Sequence, residues 1–169
     1  HYLYNTSRIF WLKFSTILHL SIGVFLMCYI AVTENFSITL SKYTDPIKRI
    51  RGNYDLTEQL TSFVEEDGYC ILAFDDRMTL SAFQYNLREH RCKFLKWNPT
   101  GKVGDHFDLT TNMNSYKGEN IYFISNNANE TELEKYSAKL HFVTTLRFKP
   151  YEGFEKTLDV YKLKNFKGY

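Results

Sequence analysis

Residues 10–32 read FWLKFSTILHLSIGVFLMCYIAV, and from Phe14 to Val32 no side chain carries a formal charge. At about 1.5 Å of rise per residue a helix of this length spans roughly 34 Å, enough to cross the hydrocarbon core of a bilayer. Lys13 lies one turn inside the start and can snorkel, while Trp11 and Tyr29 suit the two membrane interfaces. A signal peptide would need a shorter apolar run and a small-residue cleavage site, and VTENFS (32–37) matches one poorly. A buried core helix is normally less apolar all round. The stretch therefore predicts one transmembrane helix over 10–32. It leaves residues 1–9 as a cytoplasmic-side flank, 33–54 as a basic connector and 55–169 as a globular domain. Arg8 and Lys13 ahead of the span place the N-terminus inside by the positive-inside rule; Lys42, Lys48, Arg49 and Arg51 beyond it pull the other way. His19 is expected to hydrogen-bond another helix rather than to do chemistry. The first residue is His1, not Met, as expected of a piece of a longer protein.

After the Asp45-Pro46 turn signal, Asp55 reads as a helix cap with Glu58 completing a capping box, and Leu56, Leu60, Phe63 and Val64 as the buried stripe. Gly68 ends this helix. The next stretch, Gly68–Arg88, organises the domain. It gives a short buried strand (69–74), the turn Asp75-Asp76-Arg77, and an amphipathic helix carrying Phe83, Tyr85 and Leu87. A second strand follows at 92–97 (CKFLKW), making a βαβ unit with parallel strands and a right-handed crossover. Residues 102–120 form a long loop of little periodicity, of the kind that is usually functional or mobile. IYFIS (121–125) is a third strand. A short helix from Glu130 is capped by Asn129, with Leu133, Tyr136 and Leu140 on one face. Alternating stretches at 141–148 and 157–163, joined through PYEG, predict an antiparallel hairpin at the sheet edge. The fold class is α/β: a small Rossmann-like three-layer domain with a partly parallel sheet and a C-terminal antiparallel hairpin.

The charge balance, 21 basic against 19 acidic residues, lacks the basic excess of a nucleic-acid binder, so no nucleic acid is expected as partner. The three cysteines show no C-x-x-C spacing. Cys70 and Cys92 each open a strand; a bridge is possible in an oxidising compartment, but two buried thiols are the favoured reading. No GxGxxG, P-loop, GxSxG or HExxH motif is present, no cofactor is identified, and metal dependence is left open. Three N-x-S/T triplets, at Asn5, Asn35 and Asn129, matter only in a eukaryotic secretory setting.

Two constellations bear chemistry. In the first, one of Asp75 and Asp76 is explained as a helix N-cap. The second carboxylate and Arg77 are not, and Arg77 either pairs with Asp75 or offers its planar fork to a phosphate or carboxylate. The second constellation is Trp97-Asn98-Pro99 with Asp105-His106-Phe107-Asp108. Parallel strands place Trp97 beside the Asp75–Arg77 turn, at the carboxyl edge where ligands sit in open α/β sheets. A histidine between two aspartates can be a metal ligand or an acid–base group. With no second His or Cys to complete a metal set, a hydrogen-bonded loop histidine is favoured.

The order IKRIRG (47–52), AFDDRMTLSAFQYNLRE (73–89) and KWNPTGKVGDHFDLT (96–110) resembles the C-terminal periplasmic part of bacterial GT-C type membrane glycosyltransferases. These are relatives of the dolichyl-phosphate-mannose-protein mannosyltransferases and the aminoarabinose transferases. The resemblance covers roughly residues 10–125. Asn53, followed by Tyr54, stands where that family often has an aromatic residue after the glycine of the connector. The resemblance implies an enzyme of the bacterial inner membrane with its globular domain on the periplasmic side. It implies sugar transfer from a polyprenyl-phosphate donor to an extracytoplasmic acceptor, with the bilayer and the lipid-linked sugar as partners. The acidic residue such enzymes require lies in an earlier extracytoplasmic loop, so this fragment alone is expected to be inactive. Asp75, Asp76, Arg77, Tyr85, Trp97, Asp105 and His106 are the positions carried over, as substrate-facing or docking residues. Two other readings stand beside it: a stand-alone membrane-anchored α/β binding module, and a structural subunit docking on a multispanning partner.

Overall fold

The computed structural model describes residues 6–35, 41, 43–45, 47–64 and 70–169. Expectations for Asn5, Lys42, Pro46, Gly68 and Tyr69 lie outside the described residues. The chain divides into two units, His1–Asp45 and Pro46–Tyr169.

The first unit holds α1 (Thr6–Asn35), whose segment Arg8–Thr33 is long and apolar enough to cross a membrane. A signal sequence near an N-terminus passes the same test. Almost all of its large apolar side chains face outward, as a helix solvated by lipid requires. His19 Nδ1 lies 2.6 Å from the Ser15 carbonyl oxygen of its own helix. One turn of helix brings residues i and i+4 together, which is why the local bond forms.

The second unit is mixed α/β, as the alternation of strand and helix signals indicates. Its elements are α2 (Asn53–Val64), β1 (Cys70–Phe74), α3 (Arg77–Asn86), β2 (Cys92–Lys96), α4 (Phe107–Thr110), a 3₁₀ turn (Met113–Tyr116), β3 (Ile121–Ser125), α5 (Glu130–Lys135), β4 (Ser137–Tyr151) and β5 (Phe154–Phe166). The sheet runs β2-β1-β3-β5-β4, with β1 parallel to both β2 and β3 and the hairpin β4–β5 antiparallel at one edge. Every residue of β1 and β3 is buried, the signature of strands covered on both faces. Cys70, Leu72 and Phe74 point to the layer built by Leu56, Leu60, Leu80 and Phe83 of α2 and α3. Ile71 and Ala73 point the other way, toward Met113, Leu133 and Phe166. Fully burying side chains such as Leu80 and Phe83 stabilises by about 1.5–3 kcal/mol each.

Several sequence expectations are corrected. Helix α2 begins at Asn53, so Asp55 lies in the first turn rather than at the cap. The first turn closes onto the Gly52 carbonyl, and Gly52 holds φ +76° with the Phe148 ring where a Cβ would stand; a left-handed, tightly covered position admits glycine alone. Thr57 is buried and Phe63 is 40% exposed, because the buried face is turned toward Thr57 and away from Phe63. Leu140 is not on the α5 face: the helix ends at Lys135 and Leu140 already pairs with Leu163 in the hairpin. The long loop contains α4 and the 3₁₀ turn, both too short to leave a periodic signal. Cys70 and Cys92 are not separate thiols but a disulfide. They are direct partners in the β1–β2 register, with Cα atoms 4.6 Å apart, within bridging range.

Candidate functional site

The chain leaves β1 for the layer of α2 and α3, and leaves β3 for the opposite layer of α5. Adjacent strands whose connections part to opposite faces open a crevice at their carboxyl ends, the usual place for a ligand in an open α/β sheet. Residues 75–77, 96–98 and 125–129 converge there.

The two aspartates of the first turn have different jobs. Asp76 is the N-cap of α3: Oδ2 accepts from the Thr79 backbone N–H at 2.7 Å and from its hydroxyl at 2.8 Å. Burial works to raise its carboxyl pKa, but the Thr79 and Met78 donors and the nearby Lys96 charge outweigh it and hold the group below the ordinary carboxylate range. Asp75 bridges two strands instead, accepting through Oδ2 from the hydroxyl of buried Ser125 at the end of β3. Of the two alternatives for Arg77, the pair with Asp75 is not formed. Arg77 is exposed, and among the described residues its guanidinium has no partner.

Lys96, which sequence reasoning passed over, ties the two constellations together. Its side chain is only 13% exposed; its ammonium donates to the Asp75 carbonyl and lies 3.7 Å from the Asp105 carboxylate. The available signal was a lysine closing a buried-looking strand immediately before an aspartate-rich loop. A buried ammonium requires hydrogen-bonded, oppositely charged neighbours, and the loop supplies them.

That loop is folded by its own carboxylates. Asp108 accepts from the backbone N–H groups of Gly104 (2.8 Å) and Asp105 (3.0 Å) and from the Asn98 side-chain amide (3.0 Å). The Gly104 bond comes first among the causes that hold the Asp108 carboxyl below its usual value, with Lys96 adding to them. Asp105 accepts from the Phe107 N–H at 2.9 Å. His106 is exposed with its ring against Phe107, 3.9 Å between centroids. No hydrogen bond to its ring is formed among the described residues, contrary to the expectation of a hydrogen-bonded histidine. Among the described residues no group of three metal-ligating side chains comes together.

Trp97 and Asp75 line one wall of the crevice. The indole is set in a cluster with Phe123, Tyr136 and Tyr169, at 5.0, 5.6 and 5.2 Å between centroids. Tyr85 is not part of this edge. It sits 68% exposed on the outer side of α3 with the Arg88 guanidinium 4.7 Å over its ring. Asn53, which follows the IKRIRG segment, accepts through Oδ1 from the Lys156 ammonium. Burial lowers the Lys156 pKa, and the Asp76 charge partly restores it.

Comparison with protein-family models, with curated proteins and with solved structures finds no match for this chain.

Proposed function

We propose that this chain is the terminal membrane helix and extracytoplasmic domain of a GT-C type glycosyltransferase that moves a sugar from a polyprenyl-phosphate donor to an acceptor outside the cytoplasm. In this reading α1 spans the bacterial inner membrane, the Rossmann-like domain lies on the periplasmic side, and the strand-end edge is a docking wall for the membrane-embedded active site. The observation that carries the reading is the convergence of motif segments distant in sequence. Lys96 fastens the Asp75–Arg77 turn to the Asp105–Asp108 loop, and these segments are where the family resemblance lies. The Cys70–Cys92 bridge supports placement in an oxidising compartment, where such bonds persist. Arg77 is the docking residue with the most to offer, a fixed planar donor set at the first residue of α3 with no protein partner among the described residues.

The test is transfer by the intact membrane protein reconstituted in liposomes with a polyprenyl-phosphate-linked sugar. The reading predicts consumption of the lipid-linked sugar when an extracytoplasmic extract supplies acceptor. No consumption above that of empty liposomes contradicts it.

A further inference from the structure

The crevice between the carboxyl ends of β1 and β3 has a volume of about 230 Å³ and is lined by Asp75, Trp97, Phe123, Asn127, Asn129 and Glu132 among others. Its apolar wall is aromatic: Trp97, half-buried and held from behind by Phe123, Tyr136 and Tyr169. Its polar side is open to solvent, with Asn127 and Asn129 exposed. The Asn127 backbone is occupied by Ser125, and Asn129 Oδ1 caps α5 at 3.3 Å. The Asn127 side-chain amide, the Asn129 amide nitrogen and the Glu132 carboxylate make no hydrogen bond among the described residues. No lysine or arginine lines the crevice. Lys96, beside Asp75, is spent on the Asp75 carbonyl and on Asp105.

This combination selects against anions. A phosphate entering here would face the carboxylates of Asp75 and Glu132 with no lysine or arginine in the lining, and like charges at close range repel. An aromatic wall opposed by amides and two carboxylates suits an uncharged ring with an apolar face and a rim of hydroxyls: ring C–H groups lie on the indole, and hydroxyls donate to Glu132 and accept from the amides. We infer that this crevice binds one uncharged pyranose unit of a glycan and discriminates against sugar phosphates. The inference deepens the proposed function and rests on it for the source of the sugar: a neutral glycoside on the acceptor side rather than the phosphate-bearing head of the donor.

The chain has two tryptophans, Trp11 and Trp97, so Trp11→Phe in the full chain in detergent leaves Trp97 emission as the sole indole reporter. Methyl glucopyranoside and methyl mannopyranoside stand for the neutral glycoside, and glucose 1-phosphate and inorganic phosphate for the donor head. The inference predicts a saturable change in Trp97 emission with at least one methyl glycoside, with a Kd on the order of 1–10 mM as befits one small polar ring. Glucose 1-phosphate should bind at least tenfold more weakly. Glu132→Ala, with circular dichroism confirming the fold, should weaken glycoside binding about tenfold. It is overturned if the folded protein responds to neither glycoside, if glucose 1-phosphate or phosphate binds more tightly, or if Glu132→Ala changes nothing. Transfer is read separately. Glycoside binding without transfer leaves the crevice standing and sinks the enzymatic reading; transfer without glycoside binding does the reverse.

Discussion

Asp76 and Arg77 are neighbours with opposite roles, and substitution separates them. Asp76 satisfies two donors of Thr79 at the start of α3, and replacing such a cap by alanine costs about 1 kcal/mol. Its folded pKa is depressed. The stability it contributes is therefore fully present above the unfolded carboxylate value, near 4, and is lost as pH falls through the lower folded value. Denaturant melts of Asp76→Ala should accordingly show a deficit of about 1 kcal/mol at neutral pH, narrowing as the solution is acidified below the ordinary carboxylate range. A deficit that grows on acidification would contradict the capping role. Asp75 shows the limit of local reading. A second acid beside a helix cap has no local explanation, and its partner, Ser125, lies fifty residues away on β3. Nothing in the spacing of either residue announces that bond.

At the scale of elements, the βαβ unit was legible because its signals are local: a capped helix, a short apolar run on either side and a turn at each boundary. The hairpin was legible by alternation, although β4 and β5 extend well beyond the alternating stretches, to Ser137–Tyr151 and Phe154–Phe166. Register is what local pattern does not carry. It sets Cys70 opposite Cys92, so two cysteines that read as separate buried thiols become a bridge. Register likewise sets Lys96 opposite Phe74, bringing its ammonium to the carbonyl of Asp75, the residue that follows. The bridge ties β1 to β2 across a separation of 22 residues, a closure worth about 3 kcal/mol through the unfolded chain. Equilibrium unfolding of the Cys70→Ala, Cys92→Ala double variant should reveal a loss of that order, and reductant should bring the native protein down toward the variant. A native protein indifferent to reductant would remove the bridge, and with it the support for an oxidising compartment.

In the whole molecule, the strand-end edge of the second unit gathers four features in one place: a capped turn, a buried lysine, a carboxylate-folded loop and an aromatic crevice. Most of the carboxylates that looked available in the sequence are consumed in building that edge, Asp76 on α3, Asp108 on its own loop and Asp105 on Lys96 and Phe107. Arg77 is a charged group at the edge that finds no partner among the described residues. The central claim, that this edge docks on a membrane-embedded transfer site, is tested most directly by Arg77→Ala in the intact protein. Sugar transfer from the polyprenyl-phosphate donor and unfolding free energy are measured on the same preparation. Transfer should fall at least tenfold, equivalent to about 1.4 kcal/mol or more of barrier, with stability within about 0.5 kcal/mol of the parent, as for an exposed side chain without partners. Transfer unchanged, or transfer and stability lost in proportion, would contradict it.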